Sequence, residues 1–406
     1  MNGAKRIASR LAWSASLASL LSLLPALGAQ AALLVGNTRG DNVVMIDEKT
    51  GAYLGDFIAA GSGGLTDPDD VTLGSDGKVY VSSGGNTTGS ILRYSSSGAF
   101  IDTFARSPSL KRPYGNAFGP DGNLYVASFR SDQILRYDGS TGAFIDTFAT
   151  SPSLKRPYGN AFGPDGNLYV ASFRSDQILR YNGSTGAFID VFAQGNGTSA
   201  GLLNGPNDLS FSPDGKMLFV TTQGSVADGL GGISYRFDSQ LLGYDFSTGS
   251  GHVVATPSPT AGGNGYVSLL GAVFGPDGLL YTTDYAGGIR SYDTLTGALV
   301  HTIDTGALFS GSSVATTLGN LVFAPDGTLY APVFNEGSSG VEANGVAACT
   351  VTTGSCALLL SDSTHLSRPI GIAYVPTPVP EPSVFALMLL GFGSLVAWGR
   401  RAEGQA

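Results

Sequence analysis

The stretch RPYGNAFGPDGNLYVASFRSDQILRYDGSTGAFIDTFA, residues 112–149, decides the fold of this chain. It occurs twice, because residues 107–150 and 151–194 are identical at 41 of 44 positions. The three differences are Asp138/Asn182, Thr147/Val191 and Thr150/Gln194. Self-similarity with a period of about 20–50 residues is typical of stacked or radial repeats.

Each copy predicts four short strands separated by turns. An apolar alternation that ends in a Pro-Asp-Gly turn is followed by NLYVASF, QILRYD, a Ser-Thr-Gly turn and AFIDTF. Glycine-containing turns between β-branched and aromatic runs favour hairpins, because glycine accepts the positive φ angles of tight turns. A repeated, four-stranded antiparallel unit of about 40–45 residues is typical of a β-propeller blade.

The number of blades follows from the Asp-Gly turns. Six complete units carry them, at Asp76, Asp121, Asp165, Asp214, Asp277 and Asp326. Two half-units remain, since Leu33–Ile58 lacks a first strand and Arg368–Val375 supplies only a first strand. Joined, they close the ring and leave no open sheet edge. We predict an all-β, seven-bladed propeller over residues 32–376, with six blades as the alternative if the irregular last unit fails to form.

The composition agrees with a turn-rich, all-β chain. It contains 59 glycines and 10% aromatic residues but only 13% charged residues. The net charge of −9 gives no reason to expect nucleic-acid binding. We expect the closed ring to be a monomer.

The N-terminal segment, residues 1–31, predicts export. Lys5, Arg6 and Arg10 precede an apolar run, and Ala29-Gln30-Ala31 offers a small-residue cleavage site, as in a signal peptide. The alternative is a permanent membrane helix, against which Pro25 and several serines count.

The C-terminal segment, residues 377–406, is predicted to be a second targeting signal. Pro380, Glu381 and Pro382 precede a short apolar run from 383 to 398, and Arg400 and Arg401 follow it. This order resembles the PEP-CTERM sorting signal of Gram-negative bacteria. The resemblance implies a short transmembrane segment, processing by an exosortase-type protease, and delivery to the cell envelope or beyond, often in bacteria that make exopolysaccharide. A plain C-terminal anchor is the alternative.

The length irregularities all fall on one face of the predicted propeller. They comprise inserts at 225–239 and 335–345 and long linkers at 257–266 and 305–317. Variable loops on a rigid scaffold are where binding usually occurs, although neutral drift of surface loops explains them equally well. Seven of the chain's 22 Lys and Arg also fall on this face, in blades three and four: Arg106, Lys111, Arg112, Arg130, Lys155, Arg156 and Arg174.

Two tyrosines, Tyr114 and Tyr158, stand beside these cations at the predicted channel mouth. A cationic patch with aromatic rings on an acidic protein favours an anionic ligand, such as a uronic-acid polysaccharide. The alternative is that the cations pair with the neighbouring Asp132 and Asp176.

Two strands suggest a metal. GPNDLSFSPDGKMLFVTT (205–222) and DPDDVTLGSDGKVYVSS (67–83) resemble the strands that carry the metal-binding Asn and Asp of the gluconolactonase/senescence-marker family. The resemblance implies Asn207 and Asp69 as oxygen ligands of calcium or another divalent cation. The chain departs from the family at the closing strand, where Ile370 stands in place of a glutamate. The alternative is that both residues bond backbone groups at the strand starts.

In each blade the residue after the strand-opening position is predicted to line the channel mouth. The series is Ile370, Asp69, Tyr114, Tyr158, Asn207, Leu270 and Gly319. None of His252, His301 and His365 falls there, so no general base of the usual kind is expected.

The two cysteines, Cys349 and Cys356, flank a turn that aligns with the Ser-Thr-Gly turn of the repeat. They should face each other across a hairpin, where a disulfide is expected after export because a zinc pair would lack further ligands.

The blades resemble NHL/gluconolactonase-like repeats from Leu33 to Val375. Because propellers host enzymes and binding modules alike, the resemblance indicates fold better than function. The leading hypothesis is an exported, non-catalytic binding or scaffold protein that engages anionic exopolysaccharide. The alternative is a metal-dependent lactonase- or lyase-like enzyme.

Overall fold

The repeated sequence folds into a ring of antiparallel sheets. The structure, a computed structural model, describes residues 31–74, 76–84, 89–195, 203–227, 232–260, 266–308, 316–335 and 343–376. The compact unit that these residues form spans Ala32–Val375. The predicted signal peptide, apart from Ala31, and the predicted sorting signal lie outside the described residues. Within the described part, no helix is long and apolar enough to span a membrane.

The strands follow one another blade by blade. Blade one begins with β1 (Ala32–Asn37), β2 (Asn42–Asp47) and β3 (Tyr53–Ile58). Blade two contains β4 (Val71–Leu73), β5 (Val79–Ser83), β6 (Ser90–Tyr94) and β7 (Phe100–Arg106). Blade three contains β8 (Pro113–Phe118), β9 (Leu124–Ser128), β10 (Gln133–Tyr137) and β11 (Phe144–Ala149). Blade four contains β12 (Pro157–Phe162), β13 (Leu168–Ser172), β14 (Gln177–Tyr181) and β15 (Phe188–Gln194).

The remaining blades are less regular. Blade five contains β16 (Pro206–Phe211), β17 (Met217–Thr222), an inserted hairpin of β18 (Ser225–Ala227) and β19 (Ile233–Tyr235), then β20 (Leu241–Asp245) and β21 (Gly251–Ala255). Blade six contains β22 (Leu269–Phe274), β23 (Leu280–Asp284), β24 (Gly288–Tyr292) and β25 (Leu299–Asp304). Blade seven contains β26 (Thr317–Leu318), β27 (Val322–Phe323), β28 (Thr328–Phe334), β29 (Asn344–Thr350) and β30 (Ser355–Ser361). The last strand is β31 (Pro369–Val375).

The ring closes as predicted. β31 pairs antiparallel with β1, with Ala32 opposite Val375 and Val35 opposite Ile372, and becomes the inner strand of blade one. The prediction of seven blades is confirmed, and six blades is wrong. The irregular last unit does form a sheet, but its inner strand is broken into β26 and β27, which both pair with β28.

Both residues of the Asp-Gly turn stabilise it. Gly122 has a φ of 78°, which an L-residue adopts only at a cost. Asp121 accepts the backbone N–H of Asn123 at 3.1 Å and the hydroxyl of Tyr125 at 3.0 Å. The same two bonds recur at Asp165. The turn therefore ties itself to the strand that follows it.

The core lies between neighbouring blades. Tyr125 of blade three is fully buried, and it packs edge-to-face on Phe148 of the same blade at 4.7 Å and on Phe162 of blade four at 4.9 Å, between ring centroids. Such aromatic pairs contribute about 0.5–1.5 kcal/mol beyond the area that they bury. Each blade thus depends on its neighbour for a complete core.

The cysteines lie opposite each other in the hairpin of β29 and β30. Cys349 and Cys356 are partners in the register, their Cα atoms are 4.1 Å apart, and their sulfurs are bonded. The disulfide joins the two outer strands of blade seven.

The inserts lie where the loops were expected. The insert at 225–239 forms the β18–β19 hairpin, although residues 228–231 lie outside the described part. Most of the insert at 335–345, namely 336–342, also lies outside it.

Candidate functional site

The strand starts at the channel mouth are held by aspartates of the preceding blade. Arg156, just before β12, has a φ of 53°, and its N–H donates to Asp132 Oδ1 at 2.8 Å. Gly205 donates to Asp176 in the same way at 2.8 Å. A positive φ is strained for a residue other than glycine, and the bond offsets part of this cost. Asp132 and Asp176 therefore position the backbone of the next blade.

Serines at the ends of β9 and β13 fix the loops that carry the lysines. Ser128 Oγ accepts the N–H of Lys111 at 2.8 Å and donates to Ser109 O at 2.7 Å. Ser172 makes the same bond with Lys155, also at 2.8 Å. The two near-identical blades thus present their loops in the same way.

The inner strands surround a central cavity of about 700 Å³. Six members of the predicted mouth series line it: Ile370, Asp69, Tyr114, Tyr158, Asn207 and Leu270. In blade seven the lining residues are Asn320 and Leu321 and not Gly319, because the inner strand is interrupted there. Every blade therefore contributes at least one residue to the lining of the cavity.

Aromatic rings form one wall of the cavity. Tyr114 and Tyr158 stack with ring centroids 4.6 Å apart, and Phe129 contacts both rings edge-on. The guanidinium of Arg112 lies 5.1 Å from the centre of the Tyr114 ring. Burial raises the pKa of Tyr114 and raises that of Tyr158 well above its usual value. Both phenols therefore stay protonated at neutral pH and can donate hydrogen bonds.

The predicted cations do not form one uniform patch. Arg112 lines the cavity, whereas Arg156 lies over the Phe129 ring at 5.4 Å. Lys155 lies 3.5 Å from Asp132, which agrees in part with the pairing alternative, but both side chains are substantially exposed. Arg174 donates to Gly232 O at 3.3 Å. The remaining predicted cations, Arg106, Lys111 and Arg130, are exposed on the surface.

Two cavity carboxylates were not predicted from the sequence. Asp208 Oδ2 accepts the N–H of Ala272 in blade six at 3.0 Å, and Asp70 Oδ2 accepts from the side-chain amide of Asn116 in blade three. Both stand two positions after the strand-opening proline, where blades three and four have glycine. That contrast within the aligned repeats is the signal that could have identified them.

The surroundings of these carboxylates favour their protonated forms. Burial, with a smaller contribution from Asp67, raises the pKa of Asp69 to about 7. Burial raises the pKa of Asp208 to about 6, against the opposing effect of its backbone hydrogen bonds. Burial also raises the pKa of Asp70. The charge of the cavity therefore changes between weakly acidic and neutral pH.

We expect thermal stability to fall as pH rises from 5 to about 7.5. A carboxyl group with a raised pKa in the folded state holds a proton that the unfolded chain releases near pH 4. Its contribution to the free energy of unfolding is therefore complete below about pH 4 and is lost as the pH rises through about 7. Melting temperatures at both pH values check this. Asp69→Asn should flatten the profile, whereas Asp76→Asn, whose carboxyl has a lowered pKa, should not. A pH-independent wild-type melting temperature in this interval would contradict the expectation.

The two predicted metal ligands, Asp69 and Asn207, both line the cavity, and the metal site stays a prediction. The side-chain amide of Asn207 donates to Leu270 O at 3.1 Å, as the backbone-bonding alternative expects. Ile370, which departs from the glutamate ligand expected at that position, also lines the cavity. Among the described residues, no group of three or more His, Cys, Asp or Glu could hold a metal ion.

No histidine lines the cavity. His365 stacks on Tyr53 at 3.9 Å and lies 2.6 Å from Asp362 Oδ2, at the edge of blade one. His252 and His301 belong to outer strands of blades five and six. A general base at the channel mouth would therefore have to be a carboxylate.

Fold and cavity together define a seven-bladed β-propeller with a polar, tyrosine-walled channel mouth. It is similar to a candidate 6-phosphogluconolactonase from Bacteroides uniformis, at a TM-score of 0.55 and 18% identity, over 86% of this chain and 100% of that one. It is also similar to a protein from Lactobacillus plantarum, at a TM-score of 0.60 and 18% identity, over 85% of this chain and 99% of that one. Virginiamycin B lyase from Staphylococcus aureus is similar at a TM-score of 0.56 and 16% identity, over 76% of this chain and 92% of that one.

At these identities the similarity concerns the fold alone. No protein-family model matches the chain, and no curated protein matches it.

Proposed function

We propose that this protein is a non-catalytic binding protein for an anionic polysaccharide. The observation that carries the proposal is the pair of matched loops on blades three and four. Lys111 and Lys155 are both exposed, and each loop is held by the same serine hydrogen bond. A polymer with regularly spaced carboxylates can contact both lysines at once.

Such a two-point contact should bind more tightly than a single contact and should be sensitive to salt. The second contact is intramolecular once the first has formed, so it raises avidity without new chemistry. Exposed charges are screened over about 8–10 Å at ordinary salt, so binding should weaken as salt rises. Arg130 on the same face adds to the positive potential.

We expect Lys111→Ala with Lys155→Ala to weaken binding of an acidic polysaccharide by about tenfold or more, because both linked contacts are lost. Alginate or polygalacturonate binding, measured by calorimetry at low and moderate salt, checks this. The matched control is Lys78→Ala with Lys216→Ala, which removes two cations from the Asp-Gly turns on the other face. Equal losses in both double variants, or no preference for acidic over neutral polymer, would refute the proposal.

A second function has one observation in its favour. Asp69 and Asp208 face the cavity with pKa values of about 7 and about 6, which suits general acid–base catalysis near neutral pH. The shared fold with a candidate 6-phosphogluconolactonase adds lactones as a substrate class. Turnover of a lactone panel that is lost in Asp208→Asn would favour this enzyme over the binding protein.

We also propose export and display at the cell envelope. The order of Pro380-Glu381-Pro382, a short apolar run and two arginines supports this proposal. Glu381→Ala is expected to block processing of the PEP-CTERM-like segment and retain the protein in the membrane fraction. Intact mass of the released protein checks this, and released protein that still carries Trp398 would contradict it.

A further inference from the structure

We infer that a groove beside the central cavity binds an uncharged segment of a carbohydrate chain. The groove encloses about 570 Å³ between Tyr235 of β19, residues 237–239, and residues 257, 259 and 266–268. Gln223 and Tyr235 line both the groove and the cavity, so the two are continuous. This inference goes beyond the proposed function, which concerns the lysines of blades three and four.

The groove presents aromatic surface to solvent. Its walls include four aromatic rings and two prolines: Tyr235, Phe237, Tyr266, Tyr285, Pro257 and Pro259. Tyr235 is 63% exposed and Tyr266 is 48% exposed, so these rings are not part of the core. An exposed tyrosine offers an apolar face and a hydroxyl that donates or accepts a hydrogen bond. A sugar ring, with C–H faces and equatorial hydroxyls, complements both features.

Buried polar groups hold the groove walls in place. Arg290 and Asp284 are almost fully buried and lie 3.0 Å apart. Arg290 also donates to Ser258 O at 2.6 Å, and Asp284 accepts the N–H of Ser268 at 2.7 Å. Thr260 donates to Gly287 O at 3.0 Å. The linker is therefore bonded to blade six at several points and forms a preorganised surface.

The charges of the groove disfavour an anionic ligand. Among the described residues that line the groove there is no lysine or arginine, and Asp238 would repel an anion. The adjoining cavity is lined by Arg112 and Arg368 as well as by acceptors, including Asp208 and Asn207. A carboxylate has about four lone-pair sites, and Asp208 accepts backbone hydrogen bonds from Ala272 and Leu209. A sugar supplies several O–H donors per ring, whereas a peptide backbone supplies one N–H per residue.

Short uncharged gluco-, manno-, galacto- and xylo-oligosaccharides test the inference. Binding to the exported protein can be followed by calorimetry and by tyrosine emission, since both tryptophans, Trp13 and Trp398, lie outside residues 32–376. We expect one of these series to bind, and Tyr235→Ala with Tyr266→Ala to weaken that binding by about tenfold or more. Tyr235→Phe, which keeps the ring, should retain most of the affinity.

The control separates this site from the proposed polyanion site. Lys111→Ala with Lys155→Ala should leave uncharged oligosaccharide binding unchanged, whereas the tyrosine variants should retain acidic polymer binding through the lysines. Unchanged melting temperatures would show that the variants fold. The inference is overturned if no uncharged oligosaccharide binds, if the double tyrosine variant binds like the wild type, or if a proline-rich peptide alone occupies the groove.

Discussion

Deletion of residues 367–375 is expected to prevent the propeller from folding. β31 is the inner strand of blade one, and without it β1 has an unpaired edge on the side of the channel. Ala373 and Ile372 also leave the apolar clusters that join blade one to blades two and seven. Because folded domains are stable by only about 5–15 kcal/mol, the loss of one strand and of two inter-blade contacts exceeds what the ring can tolerate.

The measurement is size-exclusion chromatography with a thermal melt. We expect aggregation or the absence of a cooperative transition, since an exposed strand edge is a template for association. A chain that ends after Pro376 retains β31 and is the matched control, with a melting transition like that of the intact protein. A monomeric deletion variant with an unchanged melting temperature would show that the ring does not need this strand.

Asp284→Ala is expected to destabilise the protein by about 3–5 kcal/mol, because it leaves the buried Arg290 without its carboxylate partner. It also removes the acceptor for the N–H groups of Ser268 and Ala286. Denaturant titration with a constant m-value measures the loss. Adding Arg290→Met should recover part of it, because the uncompensated buried charge is then absent.

Asp146→Ala is the matched control for that variant. Asp146 pairs with Arg136 across two strands of blade three, but its side chain is 42% exposed. Because Arg136 is 18% exposed and Asp146 is 42% exposed, water screens this pair more than the buried one, and the control should cost less than Asp284→Ala. Similar losses in the two variants would show that burial does not distinguish these pairs.

The two buried partners also connect stability with binding. Arg290 and Asp284 hold the linker that forms one wall of the groove. If the groove binds carbohydrate as inferred, variants of this pair should lose affinity for uncharged oligosaccharides as well as stability. The lysines of blades three and four lie in other loops, so acidic polymer binding should be less affected in any variant that remains folded.

Much of the fold could be predicted from the sequence because its determinants are local. An Asp-Gly turn such as Asp121-Gly122 specifies its own hairpin, through the positive φ of the glycine and the hydrogen bonds of the carboxylate. The half-units at 33–58 and 368–375 predicted the closing blade, because each lacks what the other supplies. The alignment of the repeats also predicted that Tyr114, Tyr158, Asp69 and Asn207 line the channel mouth, and all four line the cavity.

Contacts between blades were decided only by the tertiary structure. Arg112 and Arg156 occupy the same place in identical motifs, yet Arg112 lines the cavity and Arg156 lies over a ring of the preceding blade. Asp208 meets Ala272, 64 positions later in the chain, because adjacent inner strands converge on the channel. The groove likewise forms where an insert of blade five faces a linker of blade six. Turns and strands depend on neighbours along the chain, whereas these sites depend on how closely the closed ring packs its blades.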